Sequence, residues 1–259
     1  MADNAWKTAV TAIAPNEIRV RGYRIDELMG RVSFGEAMYL ILRGELPGEA
    51  VGKVMEAIIV ASIDHGVTPP SALAVRNAAT TGAPLNVCIA AGALAVNRHH
   101  GGAVEDCMKL LARGAARVAA GETAAAAAAA LIADEKAAGR RLPGWGHRVH
   151  TDDPRSRRLL ALVAEAGVAG PHIAVAEAIA AELAKSGKKL PLNVDGAIAA
   201  VLADLGFASE LANGFFILAR TAGWMAHVAE ELSREKQMRR IDQGAAEYDG
   251  PQPRTMPGR

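Results

Sequence analysis

Pro143-Gly-Trp-Gly-His-Arg-Val-His-Thr-Asp-Asp-Pro-Arg155 is the stretch on which the reading of this chain turns. Two glycines, two histidines, two aspartates and two arginines crowd into these thirteen positions. The sequence on either side is dominated by Ala, Leu, Val and Ile at helical spacing. So dense a polar cluster, set on a turn between helices, is either a connecting loop or a site.

Working outward, the flanking pattern is helical almost throughout. Ser33 followed three residues later by Glu36 forms a capping box, and Gly44 with Pro47 ends the helix it opens. Helices are expected over 49–63, from Ser71 to Thr80, over 104–119 and through the alanine run 124–130. The segment from Pro84 to Val96 is apolar nearly all round and is expected to be a central core helix. Beyond Arg155, helices are expected to about Ala166, from His172 to Lys185, from Ala197 to Asp204, and from Ala208 to about Lys236. Ile18–Ile25 alternates apolar and polar residues and reads as a short hairpin. The tail after Arg239 is rich in Pro and Gly and reads as extended. The alanine run is read as a good helix with a small-residue face.

Composition narrows the function. A chain of 259 residues with 51% hydrophobic side chains can bury a large core. Its 29 basic and 28 acidic residues balance to +1, which argues against a dedicated nucleic-acid or anionic-membrane binder. No signal region opens the chain and no long uncharged apolar run interrupts it, so a soluble cytoplasmic protein is expected. Cys88 and Cys107 offer neither a disulfide framework nor a CxxC metal signature, and read as buried reduced thiols.

Besides the opening stretch, polar islands occur at Asp64-His65, His99-His100-Gly-Gly and Asn193-Val-Asp195. Arg220, Trp224 and His227 share one helix face. Each alone has an ordinary structural reading: a histidine at a helix end often caps it, and Asp195 can be an N-cap. Arg220 in an apolar stretch needs a carboxylate partner or an anionic ligand, because an unpaired buried guanidinium is costly. Taken together, histidines that polarise carbonyls or move protons, an aspartate base and carboxylate-binding arginines suit carbon–carbon chemistry on a multi-carboxylate substrate.

The motifs also carry a resemblance. PGWGHRVHTDDPR is similar to the PGxGHxV…DPR signature of citrate synthases. LNVDGAIAAVL resembles that family's NVD motif, HHGG its HGG turn, and RTAGWMAHVAE its late RTxGWxAH helix. RGYRIDEL…SFGEAMYLILRGELP resembles its N-terminal region, and the motifs run in the family's order from residue 21 to about 230. The resemblance implies an all-α fold, with a large helical domain (1–104 and 205–259), a smaller mobile one (105–204), and a homodimer or higher oligomer.

It also implies an enzyme that makes or breaks the carbon–carbon bond between acetyl-CoA and oxaloacetate through citryl-CoA. His147 would bind the substrate carbonyl, His100 would stabilise the thioester enol, and Asp195 would be the base. His65, Arg155 and Arg220 would hold substrate carboxylates, with Arg239 or Arg240 reaching in from the partner's tail. The backbone of Pro143, Gly144 and Gly146 would cradle the adenine of coenzyme A. No metal is implied.

Several features depart from the family pattern. The chain is shorter than typical citrate synthases, chiefly between Arg155 and Asn193. Asp64-His-Gly and NVDG lean slightly toward the citryl-CoA lyase module of ATP-citrate lyase, whereas His100-Gly-Gly is synthase-like. His150 and Thr151 stand where many synthases carry a basic residue near coenzyme A phosphates. His99 has no assigned role, and His172 and His227 read as structural. Two other readings compete. One is a metal-dependent hydrolase using His147, His150 and Asp152 or Asp153, since His-x-x-His spacing permits it. The other is a non-catalytic helical interaction protein.

Overall fold

The computed structural model describes residues 6–146, 151–187, 190–240 and 242–258, with Gln243 described by its backbone only. The chain begins with a three-stranded antiparallel sheet of β1 (Thr11–Ala14), β2 (Glu17–Val20) and β3 (Tyr23–Arg24). The expected hairpin is therefore its second turn, at Arg21-Gly22, where both residues take positive φ as a tight hairpin requires. The strand before it was not legible, because Pro15-Asn16 supplies the other turn and β1 is mostly exposed.

Eleven α-helices follow among the described residues: α1 (Ile25–Leu28), α2 (Phe34–Arg43), α3 (Glu49–Ala61), α4 (Pro70–Thr80), α5 (Leu85–Leu94), α6 (Ala103–Ala119), α7 (Ala124–Ala137), α8 (Pro154–Ala166), α9 (Pro171–Lys185), α10 (Val194–Asp204) and α11 (Ala212–Arg234). The fold is thus all-α apart from the small sheet. Local chemistry explains the boundaries. The Ser33–Glu36 capping box is present in both directions, and Gly44 closes α2 in the left-handed conformation. Thr123, Asp153 and Asn193 cap α7, α8 and α10 with their side chains. Asp204 caps α9 from a distance, taking the N–H groups of Gly170, His172 and Ile173 and the His172 ring at 2.7–3.0 Å. His172 is accordingly structural.

Two apolar cores result. The larger draws on α2, α3 and α6 to α10, joined by Phe207 and Phe215. In it the small-residue face of α7 presents Ala127 and Ala128 inward. The smaller lies between α4, α5 and α11, around Val75, Cys88 and Trp224. Gly92 makes this approach possible, since a Cβ there would sit 2.6 Å from a Val75 methyl and 3.0 Å from the Trp224 ring. Cys88 and Cys107 are both free thiols and buried.

The expectation for the apolar helix is corrected here. α5 is apolar all round, yet only Cys88 and Gly92 are buried, while Leu85 and Val87 are 46% exposed and Leu94 is 80% exposed. One side of the helix is covered by α4 and α11, and the other faces outward. The chain's own core therefore does not account for its apolarity. No helix among the described residues is long and apolar enough to cross a membrane.

The last turn of α11 is tied to α4 by a buried ion network. Arg76 donates to Glu231 at 2.6 Å and to Glu230 at 3.0 Å, and Arg239 reaches Glu231 at 2.8 Å. Met238 and Arg239 donate backbone N–H groups to Thr80, which fixes the start of the tail. Removing one partner leaves a buried charge under-compensated, so Arg76→Ala should cost about 3 kcal/mol. Urea unfolding monitored by circular dichroism should show a lower midpoint; an unchanged midpoint would contradict this role.

Candidate active site

The first turn of α10 organises the site. Asn193 caps the helix through the Gly196 N–H at 3.1 Å and donates its own amide to the Gly146 carbonyl at 2.8 Å. The backbone of the opening stretch runs antiparallel to this cap, with Gly146 N–H to Pro191 O at 2.8 Å and Asn193 N–H to Gly144 O at 2.9 Å. Gly144 makes the contact possible. At φ +87° it lies so close to α10 and α6 that a Cβ would meet Gly196 Cα and Cys107 Sγ, each at 2.7 Å. Its freedom thus serves packing against α10.

Asp153 completes the junction. It is 1% exposed and accepts the Arg155 N–H and Nε–H at 3.1 and 3.0 Å, Arg155 Nη2–H at 2.9 Å, and the Val194 N–H at 3.1 Å. Burial alone would raise its pKa; Arg155 and the two backbone donors outweigh that and hold the carboxyl below its ordinary value. One side chain therefore fixes the guanidinium of Arg155 and the residue preceding Asp195.

Asp195 lies in the first helical turn and is not the cap. It lines a cavity of about 610 Å³ together with His65, His99, His100, Gly146, Arg155, Phe216 and Arg220. Burial raises the Asp195 carboxyl, Arg155 and Arg220 pull it back, and Asp153 pushes it up further. His100 lines the same cavity from the turn before α6. Burial, the Arg220 guanidinium and the neighbouring His65 lower its pKa, so the imidazole is neutral at neutral pH.

The His100 Nε2 atom lies 2.8 Å from Ser71 Oγ, which also accepts the Trp224 indole N–H at 3.1 Å. The Ser71 hydroxyl, already accepting from Trp224, can donate its proton to Nε2, and in that arrangement the imidazole proton is on Nδ1. His100 also packs edge-on against Phe216, with ring centroids 5.6 Å apart.

Arg220 is 4% exposed. Its Nε–H donates to Ser62 O at 2.8 Å, and the guanidinium carbon lies 4.6 Å from the Phe216 centroid. Among the described residues no carboxylate is within ion-pair distance of it, although Asp64 and Asp195 both favour its charged form. Burial works the other way, and the group remains a cation. The shared face of α11 is real: Arg220, Trp224 and His227 reach Ser62, Ser71 and Asp64 in turn.

Five of the expected catalytic and carboxylate-binding residues, His65, His100, Arg155, Asp195 and Arg220, therefore meet in one cavity, together with Gly146 of the expected coenzyme cradle. His147 lies outside the described residues. Arg239 does not join them, because Glu231 of the same chain engages its guanidinium, and Arg240 is exposed on the tail. Ser62, Ser71 and Phe216 were missed: a serine after two prolines and a phenylalanine in an apolar run carry no signal until the helices are assembled.

Two grooves of about 600 and 470 Å³ flank residues 143–146. One is lined by Arg141, Leu142, Trp145, Gly146 and Leu190, and meets the cavity at Gly146. The other holds Arg98, Lys109, Arg113, Arg140 and Pro143, and meets the cavity at His99. The carboxylates of the competing metal reading are committed elsewhere: Asp152 pairs with Arg157, and Asp153 is taken by N–H donors. His147 and His150 lie outside the described residues, and among the described residues no group of three or more His, Cys, Asp or Glu is placed to hold a metal ion.

Asp153→Asn should reduce stability by about 3 kcal/mol, since an amide nitrogen would face donors at a buried junction. The native pKa of Asp153 is lowered, so its contribution is complete above the unfolded value of about 3.9 and is lost as pH falls through the native value. Urea unfolding at pH 7 and at pH 3 should show the gap between variant and wild type narrowing at the lower pH; equal gaps would contradict the assignment.

Comparison with known proteins identifies the family. The family described as citrate synthase, C-terminal domain, matches residues 48–241. The solved structure of citryl-CoA lyase from Hydrogenobacter thermophilus is 42% identical, with a TM-score of 0.88 over 97% of both chains. ATP citrate lyase of Methanosaeta concilii, solved in complex with (3S)-citryl-CoA, shares the fold at 20% identity and a TM-score of 0.82, over 97% of this chain and 43% of that one. Citrate synthase of Haloferax volcanii is 26% identical over 207 residues, 77% of this chain and 52% of that protein. The chain spans about half the length, or less, of the curated relatives it matches. A family match over three quarters of the sequence, on the elements that build the cavity, places this chain in the citrate synthase family.

Proposed function

We propose that the chain makes or breaks the carbon–carbon bond between acetyl-CoA and oxaloacetate through citryl-CoA, with cleavage of citryl-CoA the favoured direction. The observation that carries this is the meeting of Asp195, neutral His100 and two carboxylate-binding arginines in one cavity. Full-length similarity to a citryl-CoA lyase supports the direction.

In cleavage, the citryl hydroxyl gives its proton to His147, the bond between the carbinol carbon and the thioester methylene breaks, and oxaloacetate leaves with a new carbonyl. His147 is the expected partner of that oxygen. The electron pair passes to the thioester as an enolate, whose oxygen takes a hydrogen bond from His100 Nδ1–H. Asp195, entering as the acid, returns a proton to the methylene carbon to give the methyl of acetyl-CoA. Condensation is the reverse, with Asp195 as the base. A raised carboxyl suits both, because it narrows the gap to a weakly acidic carbon.

His65, Arg155 and Arg220 hold the substrate carboxylates. The coenzyme passes along residues 143–146. Pro143, Gly146 and the Trp145 side line its adenine end, and the basic groove of Arg98, Lys109 and Arg140 suits its phosphates. Residues 105–204 move as the smaller domain against 1–104 and 205–259, closing over the reactive intermediate. A reducing cytoplasmic setting fits the two free cysteines.

Two copies pair through the exposed apolar face of α5, and Arg240, with Arg239 held in its own chain, is the tail arginine left to reach the partner's cavity. Val87→Glu combined with Leu94→Glu should convert a dimer into a monomer in sedimentation velocity; a monomeric wild type would contradict the pairing.

The activity itself is tested by supplying acetyl-CoA with oxaloacetate, and separately citryl-CoA, while following free thiol and oxaloacetate. Oxaloacetate without thiol from citryl-CoA is expected, and thiol from the first pair would instead indicate net citrate synthesis. No reaction with either would overturn the proposal. Asp195→Asn should reduce turnover at least ~10²-fold. The condensation rate, followed as citryl-CoA formation, should fall on the acid side through a pKa above the ordinary carboxylate value of about 3.9, because the base must be ionised and burial raises it. An acid limb at or below that value would contradict the assignment.

A further inference from the structure

His227 is buried and titratable, lies outside the cavity lining, and has no part in the chemistry described above. Its Nε2 lies 3.0 Å from Asp64 Oδ1 and, beside a carboxylate, carries the proton that it donates. The other carboxylate oxygen, Asp64 Oδ2, accepts the Gly66 N–H at 2.8 Å, so the side chain folds over the peptide of His65 as an Asx turn. His65 is the cavity residue which that turn presents.

α11 meets the same turn a second time. At Gly223, four residues before His227 and on the same helix face, a Cβ would lie 2.5 Å from Ile63 O and 2.8 Å from Asp64 Oδ1. A larger residue there would displace the turn. On its far side the His227 ring is backed by charge: Nδ1 is 3.9 Å from Glu230 Oε2, and Glu230 pairs with Arg76. Asp64 itself is 40% exposed along its side chain, so water competes for its oxygens from outside. The donor that selects one orientation comes from the buried side.

We infer that His227 is a positioning residue for substrate binding, holding the 64–66 turn through Asp64 so that His65 is presented to the carboxylates in the cavity. The inference rests on the proposed role of His65 as a carboxylate ligand. It reassigns a histidine whose ordinary reading is structural, and it links the α4–α11 ion network to the substrate cavity.

The test compares wild type, His227→Leu and His227→Gln by amide hydrogen exchange over residues 63–68 and by calorimetric titration with oxaloacetate. Leucine removes the donor, and glutamine returns an N–H at similar reach. In His227→Leu, exchange at Gly66 should speed about tenfold and the oxaloacetate Kd should rise about tenfold, as expected for losing a hydrogen bond to a charged group. The KM for the thioester should hold, and His227→Gln should restore both affected quantities. Unchanged exchange over 63–68 in His227→Leu, or faster exchange along the whole of α11 without rescue by glutamine, would overturn the inference. Exchange needs no turnover. A wild type that fails to bind oxaloacetate would therefore count against the proposed function, while the exchange data would still decide whether His227 holds the turn.

Discussion

Asp153, the cap of α8, also takes the first N–H of α10, 41 residues further along the sequence, and the candidate site depends on that junction. Its carboxylate is buried and takes every donor that the first turns of α8 and α10 direct at it. A carboxylate at two helix N-termini is favoured by both macrodipoles and by the N–H groups that no helical carbonyl can satisfy. The same interaction orients Arg155 toward the cavity and anchors the residue before Asp195. The backbone pairing of residues 144–146 with 191–193 adds a second tie, which the paired glycines Gly144 and Gly196 allow to be close.

Around that junction the electrostatics are balanced between opposing charges. Asp195 is raised by burial yet lies within the field of Arg155 and Arg220. Arg220 is held by a carbonyl and an aromatic face, with no ion-paired carboxylate among the described residues. His100 is kept neutral by burial and by Arg220, and is oriented through Ser71 and Trp224. A dicarboxylate entering the cavity would find two guanidinium groups already placed, which is the arrangement that preorganised charge stabilisation requires.

Much of this was legible from sequence, for identifiable reasons. Helix boundaries followed from caps such as Ser33 and stops such as Gly44, because those signals act within one turn. The site residues were marked by polar islands in an apolar chain, since a polar group there needs a reason. Illegible parts depend on contacts across the fold. Asp153 was read as a possible metal ligand because its four donors come from two helices. Ser71 had no local mark. α5 was read as a core helix because apolarity on all sides reports that a helix is covered, without saying whether the cover comes from its own chain. The Arg239–Glu231 pair had no local mark either, because Glu231 belongs to the preceding helix and faces inward.

On the proposed function, Asp195 and His100 together move a proton at the thioester methyl carbon. This is tested most directly by incubating acetyl-CoA and oxaloacetate with the protein in deuterium oxide and measuring the mass of the recovered acetyl group. Deuterium is expected in the methyl group with wild-type protein and not with Asp195→Asn. A methyl group that stays fully protonated in the presence of wild-type protein would contradict it.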